Sequence, residues 1–284
     1  MSVAEQPVRM RRWWQSASFL IGAALTGLVV AAALVSYLWT PYAPTQMAIL
    51  NRLKPPSAAN WFGTDQFGRD VFSMIMVGAR NSLAVGLGAV GFGMVVGTTL
   101  GLLAAMRRDG LLDNIIMRAA DFTHAFPAVL TAIMITAIAG PGMLNAVIAI
   151  GVLNLPYFAR LARGVAIQVW TREFIQAARA AGLTNWQITL HHVLPNAGGV
   201  IVVQATIQFA LAILAEAGLS YLGLGTQPPN PSWGRMLNEA QTFMAAQPWL
   251  AIFPGAAIAL AVLGFNLLGD GLRDAIDPRL RRSR

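Results

Sequence analysis

Six stretches of this chain are almost wholly apolar: Ala17 to Trp39, Ser82 to Met106, Ala125 to Gly140, Met143 to Phe158, Ala197 to Tyr221 and Trp249 to Gly269. Only one of them contains a charged residue, Glu216. A helix rises about 1.5 Å per residue, so about 20 apolar residues carry it across a hydrocarbon core of about 30 Å. Four of the stretches reach that length unaided. The third and fourth are shorter and need flanking residues, such as Ala119 to His124, to complete them. Lipid offers no water to backbone N–H and C=O groups, so spans of this kind must be helices. The pattern predicts an all-α integral membrane protein with six transmembrane helices.

Two of the polar segments between these spans are long. Thr40 to Asn81 carries Pro41, Pro44, Pro55 and Pro56, and proline's missing N–H argues against one continuous helix there. The second runs from about residue 160 to 195. Within it Ala177, Ala178, Ala180 and Ala181 favour helix, Gly182 is a natural terminator, and Thr184 with Gln187 three residues later fits a capping box. Two short helices at an angle are predicted, with Pro195 stopping the second and opening the fifth span. Small alanine side chains make a slim knob that can enter a partner's groove. The competing reading is an amphipathic helix on the lipid surface, held by Trp170, Phe174, Ile175 and Trp186. The division that follows is an anchor helix with an external segment over 1–81, then a core of five transmembrane helices over 82–284.

Composition agrees with the membrane reading: 56% of the 284 residues are hydrophobic and 11% charged, with mean hydropathy +0.57. The net charge of +8 raises the question of nucleic acid, but the placement of the charges answers it. With the amino terminus inside, the predicted cytoplasmic segments hold 15 of the 20 Lys and Arg residues, and the outside holds Arg52, Lys54, Arg69, Arg80 and Arg235. This is the positive-inside bias, and it places both termini and the 160–195 loop in the cytoplasm. The basic charge is topological, and no nucleic-acid partner is expected. The first span follows Arg9, Arg11 and Arg12, but its apolar run exceeds the ~7 to 15 residues of a cleavable signal, so it reads as a retained anchor. There is no cysteine, hence no thiolate metal site.

Candidate chemistry is sparse. No nucleophile-base constellation emerges, no metal site is expected, and no catalytic residue is assigned. A phosphate-binding loop needs a Gly-x4-Gly-Lys-Ser/Thr run, and the only lysine, Lys54, is followed by Pro55. Charges within lipid are costly, and only Asp121 and Glu216 qualify; both lie near span ends, where a midplane proton relay has no use for them. For Glu216 a structural partner is favoured over a gate or a path contact. Gln204 and Gln208, four apart, share a helix face and either line a translocation path or join helices. Gly93, Gly97 and Gly101 at four-residue spacing predict close approach of another helix. His191 and His192 diverge by about 100° on a helix, and His124 reads as a helix-end hydrogen bonder.

The run Gln176-Ala-Ala-x3-Gly182, with Leu194-Pro195 beyond it, resembles the coupling loop of ABC importer permeases. Gly63 to Phe72, Gly78-Ala-Arg-Asn-Ser-Leu, Glu216 to Gly225, Pro228 to Leu237 and Asn266 to Leu280 are similar to the peptide and nickel subgroup of that family. Gln176 departs from the pattern, standing where the family usually has Glu. The resemblance implies a type I importer permease fold with both termini cytoplasmic, in the inner (plasma) membrane. It further implies a homologous second permease, two ABC ATPase subunits that hold ATP and Mg, and an extracytoplasmic solute-binding protein. Gln176, Ala177, Ala178, Ala181, Gly182, Leu194 and Pro195 would then couple to the ATPase, while Gln204, Gln208 and Glu216 are the candidates for the path. Di- or oligopeptides are the implied cargo, with nickel complexes, glutathione-like peptides or haem as alternatives. A secondary carrier or channel, and a membrane scaffold that binds partners through the same loop but moves nothing, are the rival classes.

Overall fold

The first long helix, α1 (Ala17–Leu38), starts where the Ser16 hydroxyl accepts a hydrogen bond from the Phe19 N–H, satisfying one of the orphan donors of a helix start. The computed structural model describes residues 16–276; Arg9, Arg11, Arg12 and the arginines beyond Ile276 lie outside them. Helix α2 (Val71–Met106) is 36 residues long, eleven residues longer at its start than its uncharged run. Arg80 ends that run but not the helix, because its guanidinium lies over the Tyr37 ring, 4.6 Å from the centroid. Asp70 caps α2 by accepting from the Ser73 N–H. The last part of the external segment, Val71 to Asn81, is therefore helical.

The third span departs most from expectation. It is two helices, α3 (Leu111–Ala125) and α4 (Ala128–Ala139), meeting at 93°. Pro127 forces the preceding Phe126 out of helical geometry, and the 12 residues of α4 are too few to cross alone. Helix α5 (Met143–Trp170) runs twelve residues past Phe158, so Arg160 and Arg163 belong to a helix and the predicted loop shrinks. There follow α6 (Glu173–Ala180), the one-turn α7 (Asn185–Ile188), a π turn (Thr189–Val193) and α8 (Leu194–Tyr221). Pro195 does not stop a helix. It occupies the first turn of α8, where its missing N–H is tolerated, and the wide π turn before it leaves room for the ring. Helices α9 (Trp233–Ala240) and α10 (Trp249–Ile276) complete the described residues.

Packing directions settle the connectivity. Gly93 lies against Asn154, Gly97 against Leu155 and Phe158, and Gly101 against Ala159 and Ala162, so α2 and α5 run parallel. Two consecutive spans cannot be parallel unless the chain crosses back between them, and α3–α4 is the segment available. The bent pair thus makes one net crossing. Elsewhere neighbours are antiparallel: Gly22 meets Leu268 and Gly264 meets Thr26 across α1 and α10, Gly86 meets Phe209 across α2 and α8, and Gly269 meets Thr206 across α8 and α10. Among the described residues five helices are long and apolar enough to cross a membrane, or six with the bent pair counted as one span. The described start of α1 and end of α10 fall on one face.

Candidate functional site

On that face, α6 and α7 sit beneath the ends of α2, α5 and α8. Ile175 and Ala178 of α6 and Ile188 of α7 are buried with Val193, and they pack on Leu102, Ala105, Ala166 and Val169. The spacing explains the seating: positions 175 and 178 share a helix face, so α6 has one apolar side in an otherwise polar sequence. The Arg179 guanidinium lies over the Trp170 ring at 5.1 Å from its centroid, clamping α6 to the end of α5. Burial of this small cluster orients the outer surface of the loop.

That surface holds most of the coupling candidates. Gln176, Ala177, Ala181, Gly182 and Pro195 are exposed, and Leu194 is half-buried. Ala178 is different: it is buried against the loop's own core, so it seats the loop rather than facing outward. Gly182 adopts φ +86°, the left-handed conformation that ends α6 and turns the chain into α7. The capping box forms, with Thr184 Oγ1 accepting from the Gln187 N–H and Gln187 Oε1 accepting from the Thr184 N–H at 2.8 Å. The loop is thus one short helix, α6, turned at Gly182 into α7 as the sequence predicts, but α7 is not a separate second helix: it continues through the π turn into α8.

Of the path candidates, Gln204 is half-buried and Gln208 buried in α8. Glu216 is wholly enclosed. It accepts from Ser82 Oγ at 2.9 Å, Ser220 Oγ at 2.6 Å and Thr226 Oγ1 at 3.4 Å. Its carboxyl group is thus ringed by hydroxyls from α2, α8 and the following turn. His124 Nδ1 lies 3.0 Å from Ala120 O, and His191 Nδ1 the same distance from Gln187 O.

Sequence reasoning missed the ion pairs between α3 and α5. Asp113, almost fully buried, takes a two-pronged contact from Arg163, Nε at 2.6 Å and Nη2 at 2.7 Å, while Arg160 pairs with the exposed Asp121. The partners lie 50 and 39 residues apart and meet only in the folded chain, so no local signal marks them.

The opposite face carries a cap. Trp233 of α9 is buried, donates from Nε1 to Ile75 O at 3.0 Å, and lies where a Cβ on Gly78 would strike its ring. Asn81 Nδ2 donates to Pro231 O at 2.7 Å. Arg69 joins Asp65 and Glu239, and Glu239 also takes Arg235. The turn around Asp65, Arg69 and Asp70 is therefore a salt-bridged structural element that ties the external segment to α9.

Residues 97–282 match the family described as binding-protein-dependent transport system inner membrane component. The dipeptide transport system permease protein DppC of Alkalihalophilus pseudofirmus is 51% identical over 231 residues, 81% of this chain and 76% of that protein. The glutathione transport system permease protein GsiD of Pectobacterium atrosepticum is 47% identical over 255 residues, 89% of this chain and 84% of that protein. GsiD of Escherichia coli O157:H7 is 43% identical over 272 residues, 95% and 89% respectively. Among solved structures, the inward-facing MetNI methionine ABC transporter superposes with a TM-score of 0.62 at 20% identity, over 72% of this chain and 97% of that one, a likeness of fold. This chain belongs to the inner-membrane components of binding-protein-dependent transport systems: it is a multi-pass permease of an ABC transporter complex, and not its ATPase.

Proposed function

We propose that this permease imports di- or tripeptides, glutathione among them, in a complex with a second, homologous permease, two ABC ATPase subunits and an extracytoplasmic solute-binding protein. Relatives whose names specify dipeptide and glutathione transport align over most of the chain, which supports peptides over nickel complexes or haem. Coupling falls to Gln176, Ala177, Ala181 and Gly182, with Ala178, Leu194 and Pro195 holding them in place. The single observation that carries this is the exposed α6–turn–α7 surface seated on buried Ile175, Ala178, Ile188 and Val193. Force applied to such a surface reaches α2, α5 and α8 together, because all three end on that cluster. Gln176 hydrogen-bonds its ATPase partner without the charge of a glutamate.

Translocation then proceeds by alternating access, with ATP binding and hydrolysis on the partner subunits. Gln204 and Gln208 supply uncharged polar groups to the path, a chemistry indifferent to the varied side chains of peptides. The test is uptake of labelled dipeptide and glutathione by the complete complex in proteoliposomes, with Ala177→Trp and Gly182→Val beside the parent. Ala177 is exposed, so the indole leaves the fold intact and abolishes peptide uptake while ATPase subunits dissociate or hydrolyse without transport. Normal uptake by Ala177→Trp sinks the coupling assignment; uptake of nickel or haem but no peptide sinks the substrate.

A further inference from the structure

On the outer face the external segment folds around a cavity of about 400 Å³ whose wall includes Gln46, Asn51, Lys54, Ser57, Asn60 and Asp70. Lys54 is the only lysine of the chain. Its ammonium donates to Asn51 Oδ1 at 2.6 Å, which uses one of its three donors.

The carboxylates on this side are already committed. Asp65 holds Arg69; Glu239 holds Arg69 and Arg235; Glu216 holds hydroxyls. Asp70, although it lines the cavity, accepts from Asn60 Nδ2 and from the backbone and hydroxyl of Ser73, and its charge sits at the positive end of α2. Among the described residues none of the six ion pairs involves Lys54 or neighbouring Arg52. The cavity therefore offers an ammonium in no ion pair, set beside amide and hydroxyl groups and a carboxylate, Asp70, that already has its donors, and an unpaired ammonium among such groups can receive a further carboxylate.

Its height decides what brings the carboxylate. Tyr37 and Trp39, both more than half exposed at the end of α1, mark the outer interface. Arg80 lies over Tyr37, and α2 continues nine residues beyond Arg80 to its start at Val71, about 14 Å farther out. Asp70, at the mouth of α2, lines the cavity, so the cavity stands clear of the headgroups. A recess of this size admits a side chain on a protruding loop. Next to it Ile49 and Leu50 are 66% and 98% exposed, apolar surface that a docked protein would cover.

We propose that this cavity is the receptor for an acidic side chain, Asp or Glu, on the solute-binding protein, with Lys54 as its charged contact. The inference rests on the importer reading above and names the contact by which that partner registers on this subunit. The complete transporter in phosphatidylcholine nanodiscs, mixed with the binding protein of the same system, is treated with a carbodiimide that joins amines to carboxylates without a spacer. Mass spectrometry then finds an amide between Lys54 and an Asp or Glu of the binding protein. Lys54→Glu weakens binding about tenfold, the loss of one charge-assisted bond, and flattens its salt dependence. Lys54→Arg binds within about twofold of the parent by retaining charge and donors. Basal ATPase activity stays at the parental rate in both.

Unchanged affinity of Lys54→Glu, or crosslinks confined to the amino terminus, overturns the proposal. Affinity that falls only when anionic phosphatidylglycerol is present assigns the cavity to lipid and overturns it likewise. A parental complex that binds no external protein sinks the importer reading itself, which separates the two failures.

Discussion

Replacing Gly101 by alanine puts a methyl group 2.2 Å from Ala159 O and 2.9 Å from the Ala162 Cβ. Ordinary contact begins near 3.4 Å, so α2 and α5 must part by about 1.2 Å at this level. The obstructing atom is a backbone carbonyl inside a helix and has no rotamer to escape into. Overpacking of this kind costs about 1 to 3 kcal/mol. Alanine's better helix propensity returns about 0.5 to 1 kcal/mol, leaving a net loss of up to about 2.5 kcal/mol. Gly91 on the same helix provides the control, since a Cβ there meets nothing within 4 Å, and Gly91→Ala is neutral or slightly stabilising. Thermal unfolding of the purified complex, followed by tryptophan fluorescence, places Gly101→Ala a few degrees below the parent and Gly91→Ala at or above it. Gly101→Ala melting with Gly91→Ala would refute the close parallel packing of α2 on α5.

Glu216→Ala strands hydroxyls of Ser82, Ser220 and Thr226 around a small void and lowers stability by about 1 to 3 kcal/mol; Glu216→Gln, which keeps one acceptor oxygen, loses less, and reversal of that order in thermal melts would count against the hydroxyl cage. Asp113→Asn breaks the two-pronged contact with Arg163 and costs about 3 to 5 kcal/mol as a broken, largely buried pair; a melting shift no larger than that of Asp121→Asn, whose pair is exposed, would show that burial does not strengthen it. Thr184→Ala removes the capping hydroxyl of α7 at about 1 kcal/mol, seen as faster amide exchange over 184–188 with the transmembrane helices unaffected.

Local chemistry is what the sequence makes legible. The Gly182 turn, the Thr184–Gln187 box and the small-residue face of α2 each depend on residues a few positions apart, and each is found where the pattern puts it. Which alanine faces outward was not legible. Ala177 and Ala178 are equivalent in propensity and adjacent in sequence, yet one is exposed and the other seats on Ile188 and Val193, a distinction set by where the far ends of α2 and α5 arrive. The start of α2 was misplaced for a related reason. An uncharged window excludes Arg80, whereas the helix only requires that the guanidinium find a partner, and Tyr37 of α1 provides one.

The bend at Phe126–Pro127 shows the same limit at the scale of topology. Hydropathy treats Ala125 to Gly140 as one apolar run, and proline is common enough in membrane helices that it does not announce a right-angle turn. The constraint comes from elsewhere. Gly93, Gly97 and Gly101 lock α2 parallel to α5, so the chain must return across the membrane between Met106 and Met143. That return spends 15 residues on α3 and 12 on α4. A straight helix of that combined length would be about 40 Å, longer than the crossing requires, and a bend brings it down to size. Asp113 and Asp121 pin α3 to α5 through Arg163 and Arg160, and α4 turns away to lie against α5 and α8. The glycine face of one helix thus dictates the shape of two others, through contacts no window along the chain contains.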